Sequence, residues 1–480
     1  MHNASTLRTK LPSKLKNPIW LFPLIFIVGS FLRLWHLGTW SFWVDEVLTV
    51  LDAHQLSMVH FPINPIPYLA VKFSTSLAGT NEWGARLIPC LVGIASIPLI
   101  FLMGRSLFNL QVGIFAATFL AFSSWHVFWS QNARSYVFTV FFAILAAWSF
   151  YVALERDRPL LMSGSLVATI LLLLSHTLSG VIALAFAGYV IGLLRIGRPL
   201  NNSRRHLTGT RLRNLAIFFL PLALPVVLLV VPRFRSYLFS GWGLNQWGRS
   251  PLYTLFTLIH GLSVPVAVVA FFTAFHPPGD RKRRFLVCYA GIPLVLFLIG
   301  SRFLNVAGYY LFFTTPAYLL LAAVGCDQIW RMAQIPLLLR SILPCVIIIT
   351  MLSQDYLYFR IENGGRPKWR EAFSTIQAEM RADDCVVLSI PRVGEYYLPE
   401  LETISVKAVM ADPEGIEQRW GSQKGRVWFV IDAGNWNVVD TGEQFRAWIR
   451  QKTRLIQRHT VFARAMDRTI SVYLWESENH

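Results

Sequence analysis

Two adjacent carboxylates, Asp45 and Glu46, follow Trp40, Phe42 and Trp43 just beyond the first apolar run of the chain. A carboxylate partly shielded by aromatic rings suits general-base chemistry, because partial desolvation raises the pKa of an acid and makes it a stronger base. The same residues suit the start of an interfacial helix, where Asp is a favoured N-cap, and spacing alone leaves both readings open. Cations come next. Arg134 stands in Ser130-Gln131-Asn132-Ala133-Arg134-Ser135-Tyr136, and Arg302 precedes Tyr309 and Tyr310. Arg grips phosphate bidentately and Tyr adds a hydrogen bond. The plain alternative for each Arg is a cation snorkelling to the membrane interface. His176, at the end of an apolar run, and Tyr68 are candidate substrate contacts. His54, His60 and His126 could join Asp45 and Glu46 around a metal, but no HxxxH or HxH spacing singles them out. No cofactor is called for by these residues, and a divalent metal stays open.

These residues need a membrane to position them. Of 480 residues, 54% are hydrophobic and 15% charged, against about 25% charged in soluble domains. Residues 1–354 hold 27 Lys+Arg and 8 Asp+Glu, whereas residues 355–480 hold 17 and 18, so the net charge of +18 belongs to the first part. That contrast predicts a membrane part, 1–354, followed by a soluble domain, 355–480. The basic residues lie in short clusters between apolar runs, which argues against nucleic acid as a partner. Eleven runs are apolar enough to span, near 19–37, 87–104, 112–128, 135–154, 160–175, 178–195, 214–232, 258–275, 285–300, 308–329 and 336–354. The basic start with its first apolar run reads as a retained helix rather than a cleaved signal. With the N-terminus cytoplasmic, 19 Lys/Arg fall on cytoplasmic segments and 8 on outer ones, as the positive-inside bias requires.

That orientation gives a first outer loop at 38–86, a second at 233–257 with Trp242 and Trp247, and an extracytoplasmic tail. Four of the eight acids of the membrane part, Asp45, Glu46, Asp52 and Glu82, fall in the first outer loop. A carboxylate at the bilayer centre costs roughly 3 kcal/mol or more, and this placement avoids that. The tail reads as α/β, with helices at about 368–381 and Gln444–Lys452 and strands at Val386–Ile390, Val427–Ile431 and Ile470–Trp475. The five cysteines show no CxxC and imply neither a disulfide framework nor a cysteine metal site.

The order of motifs resembles bacterial members of the dolichyl-phosphate-mannose–protein mannosyltransferase family, glycosyltransferase family 39 of the glycosyltransferase C superfamily. The likeness rests on Trp43-Val44-Asp45-Glu46, on Glu82-Trp83-Gly84-Ala85-Arg86-Leu87-Ile88-Pro89 running into Gly104-Arg105-Ser106-Leu107-Phe108, and on Trp129-Ser130-Gln131-Asn132-Ala133-Arg134-Ser135-Tyr136. It continues in Tyr309-Tyr310-Leu311-Phe312 with Pro316 and in Lys368-Trp369-Arg370-Glu371-Ala372. One departure is Asn64-Pro65-Ile66-Pro67-Tyr68-Leu69, where the family often carries His-Pro-Pro-x-Tyr-Tyr. The resemblance implies a polytopic α-helical membrane enzyme with an extracytoplasmic α/β domain, in a bacterial inner membrane. It implies inverting transfer of a sugar from a polyprenyl-phosphate donor to a lipid, glycan or protein hydroxyl. By the same resemblance Asp45 is the general base, Glu46 orients the acceptor or the base, and Arg134 and Tyr136 hold the donor phosphate; Arg302 and Tyr310 are further phosphate-binding candidates from residue type alone. The competing expectation is a lipid or glycan flippase. Transporters place ionisable groups near the midplane and show repeated halves, and neither is read in this chain.

Overall fold

The structure is a computed structural model. It describes residues 18–57, 62–195, 209–232, 235, 250–275, 280–401, 403–410, 426–434, 444–463 and 466–476. His60, Trp242 and Trp247 lie outside the described residues.

The apolar runs become helices. Seven described helices are long and apolar enough to cross a bilayer: Glu82–Leu107 (α4), Tyr136–Arg156 (α7), Thr177–Leu194, Gly209–Val230, Arg281–Gly300, Gly308–Trp330 and Leu337–Arg360. Two bent pairs bring that count to nine: Leu110–Ala121 (α5) with Ser124–Ser130 (α6), bent by 62°, and Pro251–Leu262 with Val264–Phe275, bent by 104°. Two shorter apolar helices, Leu21–Leu34 (α1) and Pro159–Ser175 (α8), coincide with the remaining two runs of the eleven. The protein is an integral membrane protein, and outward apolar side chains such as Leu338, Ile342 and Ile349 on the last helix are exposed where lipid would cover them.

The first bend matters most for the site. The chain breaks at Phe122 and Ser123, and the Ser123 hydroxyl restarts the helix by accepting from the His126 N–H at 3.3 Å. α6 then packs closely on α4. A Cβ on Gly93 would stand 2.1 Å from the Ser130 hydroxyl, so only glycine allows this approach. The residues after Ser130 are thereby delivered under the segment 38–86, the expected first outer loop.

That loop is a helical layer rather than an open loop. Val44–His54 (α2) starts with the N3 half of a capping box, in which the Glu46 carboxylate accepts from the Trp43 N–H at 3.4 Å. Pro65–Ala78 (α3) starts on proline and stops at Gly79, whose φ is 86°.

The last membrane helix continues to Arg360, beyond the expected end near 354. The soluble domain then forms a five-stranded sheet in the order β2-β1-β3-β7-β4. Its strands are β1 Cys385–Leu388, β2 Thr403–Ser405, β3 Val427–Asp432, β4 Arg454–His459 and β7 Ile470–Trp475. Strands β2, β1 and β3 run parallel, and β7 pairs antiparallel to both β3 and β4. A small hairpin joins β5, Phe462–Ala463, to β6, Met466–Asp467. The expected helices appear as Trp369–Glu379 and Gln444–Lys452. One hydrophobic cluster unites Phe42, Val47, Val50, Val71 and Ala85 of the first loop with Trp369, Phe373, Val386 and Trp428 of the tail. Sequence divides the chain at 354, yet these two parts share a core.

Candidate active site

Glu46 is the most heavily bonded acid among the described residues. Its side chain is fully buried. One carboxylate oxygen accepts from Arg86 Nε at 2.7 Å and from the Ala133 N–H at 3.0 Å. The other accepts from Arg86 Nη2 at 2.8 Å and Arg366 Nε at 3.2 Å. Burial alone would push its pKa up, but Arg86, Arg366 and the Ala133 amide outweigh that and hold it below the usual carboxylate value. Arg86 also donates to the carbonyls of Leu37, Trp40 and Ser41. Arg366 donates to Tyr358 Oη, to the Gly364 carbonyl and to the Gln131 carbonyl. Gly364 and Gly365 make the turn that brings Arg366 in, with φ of 62° and 70°. A Cβ on Gly364 would meet the Trp40 ring at 2.2 Å.

The segment 131–134 reads residue by residue in these terms. Gln131 donates to the Arg33 carbonyl at 3.0 Å, near the end of α1, and accepts from Tyr358 at 2.7 Å. Asn132 accepts from the Trp43 indole at 3.3 Å. Ala133 offers its N–H to Glu46. Arg134 turns the other way, toward Asp45. Its Nη1 donates to Thr49 Oγ1 at 2.8 Å, and its Nη2 stands 3.5 Å from Asp45 Oδ2. Its Nε has no hydrogen-bond partner among the described residues. Burial opposes the charge of Arg134, but Asp45 together with Tyr136, Tyr68 and Tyr310 outweighs it and raises the pKa above the usual arginine value.

Three tyrosines, Tyr68, Tyr136 and Tyr310, also act electrostatically on Arg134. They come from α3, α7 and the short 3-10 turn Gly308–Thr314. His176 caps α8 and packs its ring on Tyr136 and Tyr310, with centroids 5.5 and 5.7 Å away. Tyr309 fills the space between, 5.7 Å from Tyr136 and 4.5 Å from Tyr310. Seven of the eight residues picked out by sequence therefore lie in one neighbourhood. Glu46 belongs to it as a buried brace: with both oxygens bound and no exposed surface, it cannot touch an acceptor, which corrects that part of the expectation. Arg302 is the eighth. It lies exposed on the turn after Arg281–Gly300, and no contact among the described residues joins it to Tyr310.

The other acids of the segment 38–86 are engaged by the C-terminal domain. Glu82 accepts from Tyr397 at 2.9 Å and pairs with Arg370 at 2.5 Å. Asp52 pairs with Arg392 at 2.9 Å. Asp45 is 40% exposed, much like Asp52 at 44%, but its ion pair to Arg134 is looser, 3.5 Å against 2.9 Å. His54 and His126 bond inside the fold, to the Val50 carbonyl at 2.7 Å and to Arg33 at 2.9 Å. Arg33 itself, expected at the outer surface, is fully buried and also donates to the carbonyls of Gly29, Leu120 and Ala121. Among the described residues no cluster of three or more His, Cys, Asp or Glu could hold a metal. Sequence reading missed Arg86 and Arg366 as partners of Glu46. The available signals were the match at Glu82–Arg86 and the Gly-Gly-Arg turn.

Residues 62–231 match the model of the dolichyl-phosphate-mannose-protein mannosyltransferase family. No curated protein matches the chain in sequence. Among solved structures, ArnT from Cupriavidus metallidurans bound to undecaprenyl phosphate aligns with a TM-score of 0.56 and 14% identity, over 96% of this chain and 98% of that one. The apo state of the same protein gives 0.57 and 15% over the same shares. The oligosaccharyltransferase of Archaeoglobus fulgidus in the apo form gives 0.56 and 12%, over 88% of this chain and 70% of that one.

Proposed function

We propose that the chain is a membrane glycosyltransferase similar to family 39 of the glycosyltransferase C superfamily, and that it moves a sugar from a polyprenyl-phosphate donor to an acceptor hydroxyl, with inversion, at the outer face of a bacterial inner membrane. The N-terminus is then cytoplasmic and the soluble domain extracytoplasmic. Similar folds bind such lipids: ArnT is described with undecaprenyl phosphate, and the Archaeoglobus fulgidus enzyme AglB with a dolichol-phosphate.

The chemistry needs a base and a cation. An acceptor hydroxyl has a pKa far above 7, so a carboxylate must take its proton as the oxygen attacks the sugar carbon. Asp45 is the exposed carboxylate in the right place. As the carbon–oxygen bond to the donor phosphate breaks, charge grows on the phosphate. That leaving group needs cationic stabilisation and no general acid. Arg134 has an unpartnered Nε and a long contact to Asp45, so it can turn donors to the phosphate. Tyr68, Tyr136 and Tyr310 supply hydroxyls around it, and His176 backs two of those rings. Holding the lipid donor in the same bilayer supplies part of the proximity.

One observation carries this reading. Of the four acids in the first outer loop, Glu46 and Glu82 are buried in arginine pairs, Asp52 holds Arg392 at 2.9 Å, and Asp45 has only a 3.5 Å contact to Arg134, whose Nε is unpartnered among the described residues. The test is incubation of purified protein in lipid nanodiscs with a panel of polyprenyl-phosphate sugars. Release or transfer of sugar from at least one donor is expected. Inertness toward the whole panel would reject the reading.

A further inference from the structure

The soluble domain also brings a cation to the site. Arg468 follows the β5–β6 hairpin, whose return is fixed by two bonds: the Arg468 N–H donates to the Val461 carbonyl, and the Thr469 N–H donates to Asp467 Oδ1, both at 2.9 Å. The Arg468 guanidinium lies over the Trp43 ring, 5.8 Å from its centroid. Trp43 precedes Asp45 by two residues, and Arg468 interacts electrostatically with Asp45. Burial pulls Arg468 below the usual arginine range, while Asp432 and Asp45 pull it back.

Its surroundings differ from those of the other tail arginines near the interface. Arg366, Arg370, Arg392 and Arg426 each hold a carboxylate. Arg468 has no carboxylate within ion-pair distance among the described residues, and its side-chain hydrogen bond is a weak one to the Met466 sulfur at 3.8 Å. A partly desolvated guanidinium without a counter-ion is costly to keep, so its retention beside Asp45 calls for a ligand. The donor phosphate already has Arg134 and three tyrosines. An acceptor carrying its own negative charge would be repelled by both Asp45 and that phosphate, and a cation from the tail offsets the repulsion.

We propose that Arg468 is a substrate-binding residue supplied by the soluble domain, and that it receives a carboxylate or phosphate group carried by the acceptor. This rests on the transferase reading above.

The probes are methyl glucuronide and methyl glucoside, which share a ring and differ in the carboxylate. Binding is measured by saturation-transfer NMR on the full chain in nanodiscs containing polyprenyl phosphate. The wild type should prefer the glucuronide by about tenfold, as one charge-assisted contact allows. Arg468→Gln should level the two, and Arg468→Lys should restore part of the preference. Affinity for polyprenyl phosphate, measured in parallel, is the donor-side readout, with Arg134→Ala as the variant that weakens it. Equal binding of the two probes by the wild type would overturn the proposal, as would a preference that survives Arg468→Gln. Loss of polyprenyl phosphate affinity in Arg468→Gln would also overturn it, by assigning Arg468 to the donor. Failure of the donor panel would reject the transferase reading by itself, since the probe preference is read without turnover.

Discussion

Glu46 and Asp45 are neighbours in sequence and opposites in structure. The Glu46 region is closed: two arginines and a backbone amide saturate both oxygens, and water has no access. The Asp45 region is open: its carboxylate is partly solvated and its ion-pair partner Arg134 stands 3.5 Å away. α2 makes the difference, because consecutive helical residues point about 100° apart. One faces the shared core of loop and soluble domain, and the next faces the tyrosine-lined space around Arg134. The lesson is that a carboxylate held by everything around it is a structural part, while one left underbonded is available for chemistry.

The largest expected effect separates the two regions directly. Asp45→Asn should lower transfer by about 10²- to 10⁴-fold, the usual contribution of a general base, with membrane insertion and thermal melting unchanged. Normal turnover in this variant would refute the assignment. Glu46→Ala should do the reverse, lowering stability by about 3–5 kcal/mol because it leaves buried arginines uncompensated. A melting temperature equal to wild type would break the contrast. Arg134→Ala should weaken donor use by roughly ten- to a hundredfold, as expected for a lost charge-assisted contact of about 1.5–3 kcal/mol. Donor dependence measured across concentrations reads this, and an unchanged curve counts against a phosphate role.

Acid should loosen the closed region. The folded pKa of Glu46 is below its ordinary value of 4.5, so its contribution is fully present above that value and is lost as pH falls through the folded pKa. Asp384, depressed by Arg426 against its own burial, acts in the same sense within the soluble domain. Limited proteolysis should therefore release the wild-type tail increasingly as pH is lowered below 4.5, whereas Glu46→Gln, with no carboxylate to protonate there, should release it already at neutral pH. Coincident, pH-independent release in both would remove Glu46 from the interface. The smallest effect is expected at Arg302→Ala. An exposed substitution away from packed features changes stability by at most about 0.5 kcal/mol, and donor kinetics should match wild type.

Much of this architecture was legible because lipid imposes long apolar runs. The eleven runs and the charge contrast at 354 could be read from residue type and order, whereas Asp45 and Arg134 were brought together only by the family resemblance. The helical nature of 38–86 was not legible, since α2 and α3 are short, amphipathic pieces whose apolar faces serve a core completed three hundred residues later. Arg33 and Arg86 looked like interfacial cations because sequence counts charges without showing burial. Their partners are backbone carbonyls and a distant Glu. Strand β4 was missed for a related reason: Arg454–His459 is a largely exposed edge strand without an apolar face. Tyr68 and His176 were found, but only folding showed that they share a space.

The account turns on a lipid-borne phosphate reaching Arg134 beside Asp45. A cryo-EM structure of the chain in a nanodisc with bound polyprenyl phosphate tests this most directly. The prediction is phosphate oxygens within hydrogen-bond reach of the Arg134 guanidinium, about 2.7–3.2 Å, on the side that Asp45 faces. A phosphate bound elsewhere, with Arg134 still closed on Asp45 and Thr49, would contradict it.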